Sequence, residues 1–254
     1  MEVFDSTGRF YNLLYGDKEY EQEAVYLRRL IGKDCQSVLE LGSGSGIHAE
    51  YLARDGIYVT GVERSVAMLE QAERRSQELE SCFPKPRFVQ GDVRSARFGK
   101  QFDAVISVFH VFSYQIADED VAATFTTAAE HLAPGGLLLF DAWYGPAVLS
   151  QKPSVRVKRV GDDQFAVTRV AEPELIDTLN AVDVRYELFI RELKTGKLSW
   201  LSEEHRMRYF FLPELQKFGS EAGFSLERAE EWLTGEAPST NTWGVCLAFK
   251  KEEQ

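Results

Sequence analysis

The segment Ser37-Val38-Leu39-Glu40-Leu41-Gly42-Ser43-Gly44-Ser45-Gly46 decides the fold. An apolar strand runs into an acid and then into a G-x-G-x-G turn. A buried strand that stops, reverses and starts a helix against a ligand needs residues without a Cβ, here Gly42, Gly44 and Gly46. The dinucleotide fingerprint G-x-G-x-x-G wants its third glycine where this chain has Ile47, and its turn cradles a pyrophosphate. The spacing therefore points to a cofactor that lays an amino-acid tail, not a phosphate, on the turn, with Glu40 placed to attract an ammonium group.

Reading outward, Tyr58-Val59-Thr60-Gly61-Val62-Glu63 is a second strand ending in an acid, where an αβ unit returns beside the first. Glu63 is the candidate for ribose hydroxyls. A third strand, Arg87 to Gln90, ends in Gly91-Asp92-Val93, where a carboxylate accepts from an adenine amino group. A fourth, Phe102 to His110, ends where a methyl-donor sulfur belongs. Leu132-Ala133-Pro134-Gly135-Gly136 then turns into a fifth, Leu137 to Asp141. Near-continuous apolar strands alternating with helices give an α/β fold with a doubly wound, mostly parallel seven-stranded sheet that binds ligands at its carboxyl edge. These strand ends together predict S-adenosyl-L-methionine (SAM) as cofactor.

The chain resembles the class I SAM-dependent methyltransferases, and within them the small-molecule N-methyltransferases that dimethylate nucleotide-linked amino sugars. The matching segments are Phe10 to Tyr15 with Tyr20, the glycine turn followed by His48, Ser65 to Leu69, Gln90 to Arg94, Ser107 to Phe109, Asp141 to Tyr144, and His205 to Phe211. The resemblance implies that Tyr11 contacts both cofactor and acceptor. Leu41, Arg64, Met68, Val93, Val108 and Phe109 complete the cofactor-binding set. It also implies two departures. An arginine that meets the sugar nucleotide's diphosphate corresponds to Asn241, and a histidine proposed to assist catalysis corresponds to Tyr114.

Past the fifth strand the pattern changes to period two. Val155 to Val160, Phe165 to Val170, Val182 to Arg191 and Leu198 to Phe211 alternate, with Gly161 and Thr195-Gly196 as turns. They predict an antiparallel β lid at 146–211, inserted in a SAM-binding domain formed by 1–145 and 212–254. The last helix is expected at Leu212 to Ala222, and the final strands at Phe224 to Leu233 and Thr242 to Lys250. Ahead of the first strand, the segment from Phe4 to Leu30 carries apolar and aromatic residues at helical spacing. Most of these pack a helix on the sheet, while Tyr11 and Tyr15 are placed to fold over the cofactor cleft.

The net charge of −11, and the lack of any Lys/Arg-rich run, argue against a nucleic-acid partner. No apolar run of about 18 residues suits a membrane span, so a cytoplasmic enzyme is expected, with a homodimer compatible with the sequence. Cys35, Cys82 and Cys246 are isolated. They predict reduced thiols and no metal site.

Methyl transfer is an in-line displacement, so positioning and dehydration outrank any single base: near-attack alignment supplies about 7 to 11 kcal/mol, a general base about 10² to 10⁴ in rate. An aliphatic amine near a pKa of about 10.4 must still lose a proton before it attacks. Tyr11, His110 and Tyr114 are the catalytic candidates, although His110 equally suits a cap on the following turn and Tyr114 an aromatic wall. Trp143, Tyr144, Tyr15, His205 and Asn241 are the acceptor candidates. Acids of the lid, among them Glu172, Glu174, Asp183, Glu203 and Glu204, suit an amine or simply a solvated face. His48 is expected to orient the loop, and His131 to serve a helix C-terminus as a cation. A small amine is the expected acceptor; O-methylation of a hydroxylated metabolite and cofactor binding without turnover are the alternatives.

Overall fold

The structure is a computed structural model that describes residues 7–253. Phe4, where the N-terminal helical reading begins, lies outside them. Two helices, α1 (Tyr11–Tyr15) and α2 (Tyr20–Ile31), precede β1 (Ser37–Leu41). There follow α3 (Ile47–Arg54), β2 (Tyr58–Glu63), α4 (Val66–Glu78), β3 (Arg87–Gln90), β4 (Phe102–Ser107), α5 (Asp118–His131) and β5 (Leu132–Tyr144). After α6 (Gly145–Gln151) come β6 (Arg156–Gly161), β7 (Phe165–Ile176), β8 (Ala181–Glu192) and β9 (Leu198–Phe210). The chain closes with α7 (Leu212–Glu221), β10 (Phe224–Glu231) and β11 (Gly244–Lys251).

Strands β3, β2, β1, β4 and β5 lie side by side and parallel, and β11 and β10 continue antiparallel beyond β5. That path is the expected seven-stranded core. The lid, however, is not a separate sheet. The end of β5 pairs with β9, Trp143 with Tyr209 and Tyr144 with Phe210, and this joins the antiparallel run β9-β8-β7-β6 into one eleven-stranded sheet among the described residues. The cause is the length of β5, which overruns the expected end at Asp141 by three residues. Its start also differs: the turn at Gly135 (φ 77°) becomes a register shift against β4 within the strand.

The apolar runs read from the sequence become two buried layers. One face of the sheet packs Phe112, Phe125, Phe140, Phe210, Phe224 and Phe249, with the Phe112 and Phe140 rings stacked at 3.8 Å. The other packs Leu27 and Ile31 of α2 and Leu52 of α3 against Val38, Val59 and Ile106. Burial of each such side chain stabilises the fold by about 1.5 to 3 kcal/mol. Helix starts are chemically marked. Ser65 caps α4 by accepting the Met68 N–H at 3.4 Å, and the Glu214 carboxylate accepts the Phe211 N–H at 2.8 Å ahead of α7. At the N-terminus, Phe10 and Leu14 pack on Val167, Leu188 and Ile190 of the lid.

Candidate functional site

The glycines of the turn divide by what surrounds them. All three have positive φ, at 80°, 54° and 77°. A Cβ on Gly42 would lie 2.5 Å from Val111, and one on Gly46 2.8 Å from Phe88, so these two are demanded by packing. A Cβ on Gly44 would meet only the Met68 methyl, at 3.4 Å, and otherwise enter an open cavity. Gly61 belongs with the packing pair: Phe88 and Ser43 leave it no room for a side chain, a constraint that strand patterning does not reveal.

That cavity, of about 890 Å³, runs along the carboxyl edge of β1, β2, β3 and β4 and continues under the lid. Of the cofactor candidates, Tyr11, Gly42, Gly44, Glu63, Arg64, Met68, Gly91, Asp92, Val93, Val108 and Phe109 line it. Leu41 and Gly46 do not, because both are turned into packing. Glu40 lies behind the wall, 1% exposed, with its Oε2 unpartnered by any hydrogen bond among the described residues. Burial, and then the neighbouring Glu63 charge, push its carboxyl up to about 8. An orphaned buried oxygen of this kind fits the ammonium of the SAM amino-acid tail.

Glu63 ends β2 with one oxygen accepting the Gly44 N–H and the other the Ser65 N–H, each at 2.8 Å, which fixes the carboxylate at the cavity wall. Burial outweighs these bonds and pushes its pKa up. Asp92 is gripped by the Arg94 guanidinium, Nε to Oδ1 at 2.8 Å and Nη2 to Oδ2 at 2.5 Å, which holds its pKa down. Glycine cradle, orphaned carboxylate and anchored Glu63 together suit SAM.

Phe109 and His110 follow β4 in the left-handed region, at φ 64° and 62°, ahead of a 3-10 turn at Val111–Tyr114. This is why β4 ends at Ser107 rather than at His110. Asp141, 1% exposed, accepts the His110 N–H at 2.9 Å, and its other oxygen lies 2.6 Å from His110 Nδ1, off the line of a hydrogen bond. Phe109 meets Tyr15 at 5.1 Å and Tyr11 at 6.2 Å, ring to ring. Burial, followed by the nearby Tyr20, pushes the Tyr11 phenol well up, so it stays protonated.

The acceptor candidates separate. Tyr15, Trp143, His110 and Tyr114 line the cavity. Tyr144 does not; it packs against the core where β5 meets β9. Asn241 also lies outside, exposed in the loop before β11, where its Oδ1 accepts from Gln151 Nε2 at 3.2 Å. His205, the remaining acceptor candidate, does not line the cavity either but is buried on β9. β9 alternates strictly here, so Glu204 and Arg206 stay exposed and reach the cavity while Glu203 and His205, 6% and 3% exposed, are buried. The outward acids pair with arginines, Asp183 with Arg206 and Glu172 with Arg185. Lid residues Arg156, Arg169, Tyr186 and Arg206 line the cavity and were not singled out from the sequence. The alternation marks the faces of a strand but not which face meets the cleft.

Of the other two histidines, His48 lines the cavity and His131 does not. His48 Nε2 lies 2.8 Å from Glu23 of α2, and its Nδ1 lies 3.9 Å from Glu40. Burial raises Glu23, but His48 and then Lys18 outweigh it and hold the carboxylate down to about 2. His131 is buried, with Nε2 accepting the Phe98 N–H at 3.0 Å and Nδ1 2.7 Å from the Thr127 carbonyl. That arrangement requires the neutral ring and not the cation expected at a helix end. Among the described residues no cluster of His, Cys, Asp or Glu suits a metal, and no helix is long and apolar enough to cross a membrane.

Comparison with known proteins agrees with this geometry. A family model described as a methyltransferase domain matches residues 38–136, the span from β1 into β5. The dTDP-3-amino-3,4,6-trideoxy-alpha-D-glucopyranose N,N-dimethyltransferase of Streptomyces venezuelae is 29% identical over 231 residues, covering 89% of this chain and 92% of that one. Among solved structures, DesVI of Streptomyces venezuelae superposes with a TM-score of 0.78 at 24% identity, covering 100% of both chains. A SAM-dependent methyltransferase from Clostridium acetobutylicum superposes with a TM-score of 0.80 at 21% identity, covering 96% of each. Fold, cofactor cleft and sequence likeness together make this chain a SAM-dependent methyltransferase with the class I fold, carrying a methyltransferase domain at residues 38–136 and similar over nearly its whole length to an amino-sugar N-methyltransferase.

Proposed function

We propose that the enzyme methylates the nitrogen of a small-molecule amine, an amino sugar carried on a nucleoside diphosphate. The observation that carries the reading is the extension of the cofactor cleft into a lid chamber walled by Tyr15, Tyr114, Trp143 and Tyr186, with Arg156, Arg169 and Arg206 along the same wall. Aromatic faces favour a cationic or sugar acceptor, and guanidinium groups suit phosphate. Asn241 does not supply the cationic contact, so in this reading the lid arginines do. The likeness to the venezuelae N,N-dimethyltransferase supports the same acceptor class.

When bound, SAM supplies an electrophilic methyl group. Glu40, Glu63 and Asp92 hold its ammonium, ribose and adenine in this reading, and Gly44 gives its tail room. Tyr11, Tyr15 and Phe109 exclude water where the two ligands meet, and His110 and Tyr114 face the acceptor. Residues 146–211 act as the substrate lid of the SAM-binding domain formed by 1–145 and 212–254. The reading includes a cytoplasmic enzyme with no nucleic-acid partner, supported by the charge of −11. It also includes a homodimer, supported by the exposed pair Phe189 and Trp200 on β8 and β9; sedimentation at micromolar concentration decides that point.

The test is S-adenosyl-L-homocysteine formation with dTDP-linked 3-amino and 4-amino sugars, simple amines and phenols. Turnover of the amino sugars above the rest supports the proposal. Turnover confined to phenols or other hydroxyl compounds overturns it.

A further inference from the structure

We propose that Tyr114, His205 and Glu203 form a buried relay that takes the proton from the acceptor nitrogen, Tyr114 touching the acceptor and the other two acting through it. The inference rests on the amine reading above. Tyr114 ends the 3-10 turn after β4 and lines the acceptor chamber. Its Oη lies 2.8 Å from His205 Nδ1, and His205 Nε2 lies 3.3 Å from Glu203 Oε2. Glu203 also accepts the Thr7 N–H at 3.0 Å and the Thr7 hydroxyl. Phenol, imidazole and carboxylate thus follow one another inward from the acceptor, the order in which a hydroxyl, its base and the group that orients the base are arranged in acyl-transfer enzymes.

The inward face of β9 makes this possible. Glu203 and His205 are two residues apart, so they share a face, and Glu203 stands opposite Tyr186 of β8. Both are almost fully buried, and the Tyr186 ring meets His205 edge-on at 4.8 Å. The groups around His205 are Tyr114, Tyr186 and Glu203, with Arg169, Tyr11 and Tyr15 bordering the small cavity beside it.

Burial, and then the neighbouring Tyr186 and Tyr15 phenols and the Glu203 carboxylate, push the Tyr114 phenol well above its ordinary value. It therefore passes a proton on rather than holding a phenolate. An N–H bond of the ammonium breaks as a proton reaches Tyr114 Oη, while the phenol's own proton moves to His205 Nδ1. The nitrogen keeps the electron pair with which it attacks. The resulting imidazolium faces the Glu203 carboxylate, and its proton returns by the same path to water when the chamber opens. Near neutral pH roughly one aliphatic amine in a thousand is unprotonated, and a monomethylated product must shed a proton before it accepts a second methyl. The relay serves both events.

The test combines Tyr114→Phe, His205→Gln and Glu203→Gln with the double variant Tyr114→Phe/His205→Gln. Each of the first two is expected to lower kcat about 10² -fold, with KM for SAM within about twofold. The double variant should fall no further than Tyr114→Phe, since the residues act as one unit. The activity of His205→Gln should climb from pH 7 to 9, where the free amine becomes abundant, more steeply than that of the wild type. Multiplying losses, or a pH profile parallel to the wild type, overturns the relay. A substrate-free measurement decides independently: ¹⁵N NMR of His205 in the S-adenosyl-L-homocysteine complex should show Nδ1 unprotonated and accepting a hydrogen bond that Tyr114→Phe removes. A proton on Nδ1 overturns the proposal whatever the acceptor. Wild-type enzyme that methylates only phenols overturns the amine reading, and the tautomer then decides the hydrogen-bond order alone.

Discussion

The Asp141 carboxylate holds His110 at two points, accepting its backbone N–H at 2.9 Å and standing 2.6 Å from its ring Nδ1. These contacts fasten a turn in which Phe109 and His110 both have positive φ. Each such non-glycine residue costs about 1 to 2 kcal/mol, so the buried carboxylate offsets strain at the edge of the cleft. Asp141→Ala is expected to lower stability by about 2 to 3 kcal/mol through the lost hydrogen bond and the released turn. Urea unfolding of the free protein measures this. A loss under about 0.5 kcal/mol would mean that packing, not Asp141, holds the turn.

His110 separates the two chemistries that its position allows. A hydroxyl acceptor needs a strong base in contact with it, and there His110→Ala should lower kcat by two or more orders of magnitude. Under the amine reading the same variant should lose less than about tenfold. Turnover measured at saturating SAM distinguishes them.

Gly42 and Gly44 should fail in opposite ways. Gly42→Ala drives a methyl into Val111, and its chief effect should be a Tm lowered by several degrees. Gly44→Val has space within the protein, so it should cost roughly the left-handed strain of about 1 to 2 kcal/mol yet weaken SAM binding by more than about 10² -fold. Calorimetric titration and thermal melts, read together, check the pair. Unweakened binding in Gly44→Val would remove the turn from the cofactor site.

Glu40 gives the free enzyme a distinctive pH response. Its folded pKa of about 8 lies above the unfolded value near 4.5, so the folded state holds a proton that the unfolded state has lost between those limits. Stability is then fully present below about pH 4.5 and declines as pH rises toward 8, by an amount on the order of a few kcal/mol. The raised Glu63 adds in the same direction. Glu40→Gln should flatten most of the slope of Tm against pH. If Glu40 meets the cofactor ammonium, SAM binding near pH 7 should also release close to one proton, read from titrations in buffers of different ionisation heat. A flat profile in the wild type would contradict the buried neutral acid.

The core sheet was legible because its signals are local. The apolar run before Gly42 and the acids at Glu63 and Asp92 each declare themselves within a few residues. The lid strands were equally plain from their alternation. What stayed hidden depends on pairing. Nothing in Glu203-Glu204-His205-Arg206 says which member of each neighbouring pair turns inward; the choice is made by register against β8, where Tyr186 stands opposite Glu203 and Val184 opposite His205. Likewise Asn241 and Tyr144 are close in sequence to cavity residues Trp243 and Trp143, but one lies in an exposed loop and the other on the opposite side of its strand. Long-range register, not composition, determines these positions.

The pairing of β5 with β9 has a mechanical consequence. Because the wall over the acceptor is hydrogen-bonded into the same sheet as the cofactor edge, it cannot swing away without tearing backbone pairs. The N-terminal strap is fastened by side-chain bonds and packing instead of strand pairing: Thr7 to Glu203, Asn12 to Ser45 and Gln71, Gln71 to the Gly8 carbonyl and Arg169 to Tyr15, with Phe10 and Leu14 packed on the lid. Ligand exchange by way of that strap is therefore the expected outcome, with amide hydrogen exchange fastest at residues 7–15 and slowed there by bound S-adenosyl-L-homocysteine. The enzyme is then a rigid vessel with a peelable seal, and a bulky fusion at its amino end would act on the traffic of ligands rather than on the chemistry.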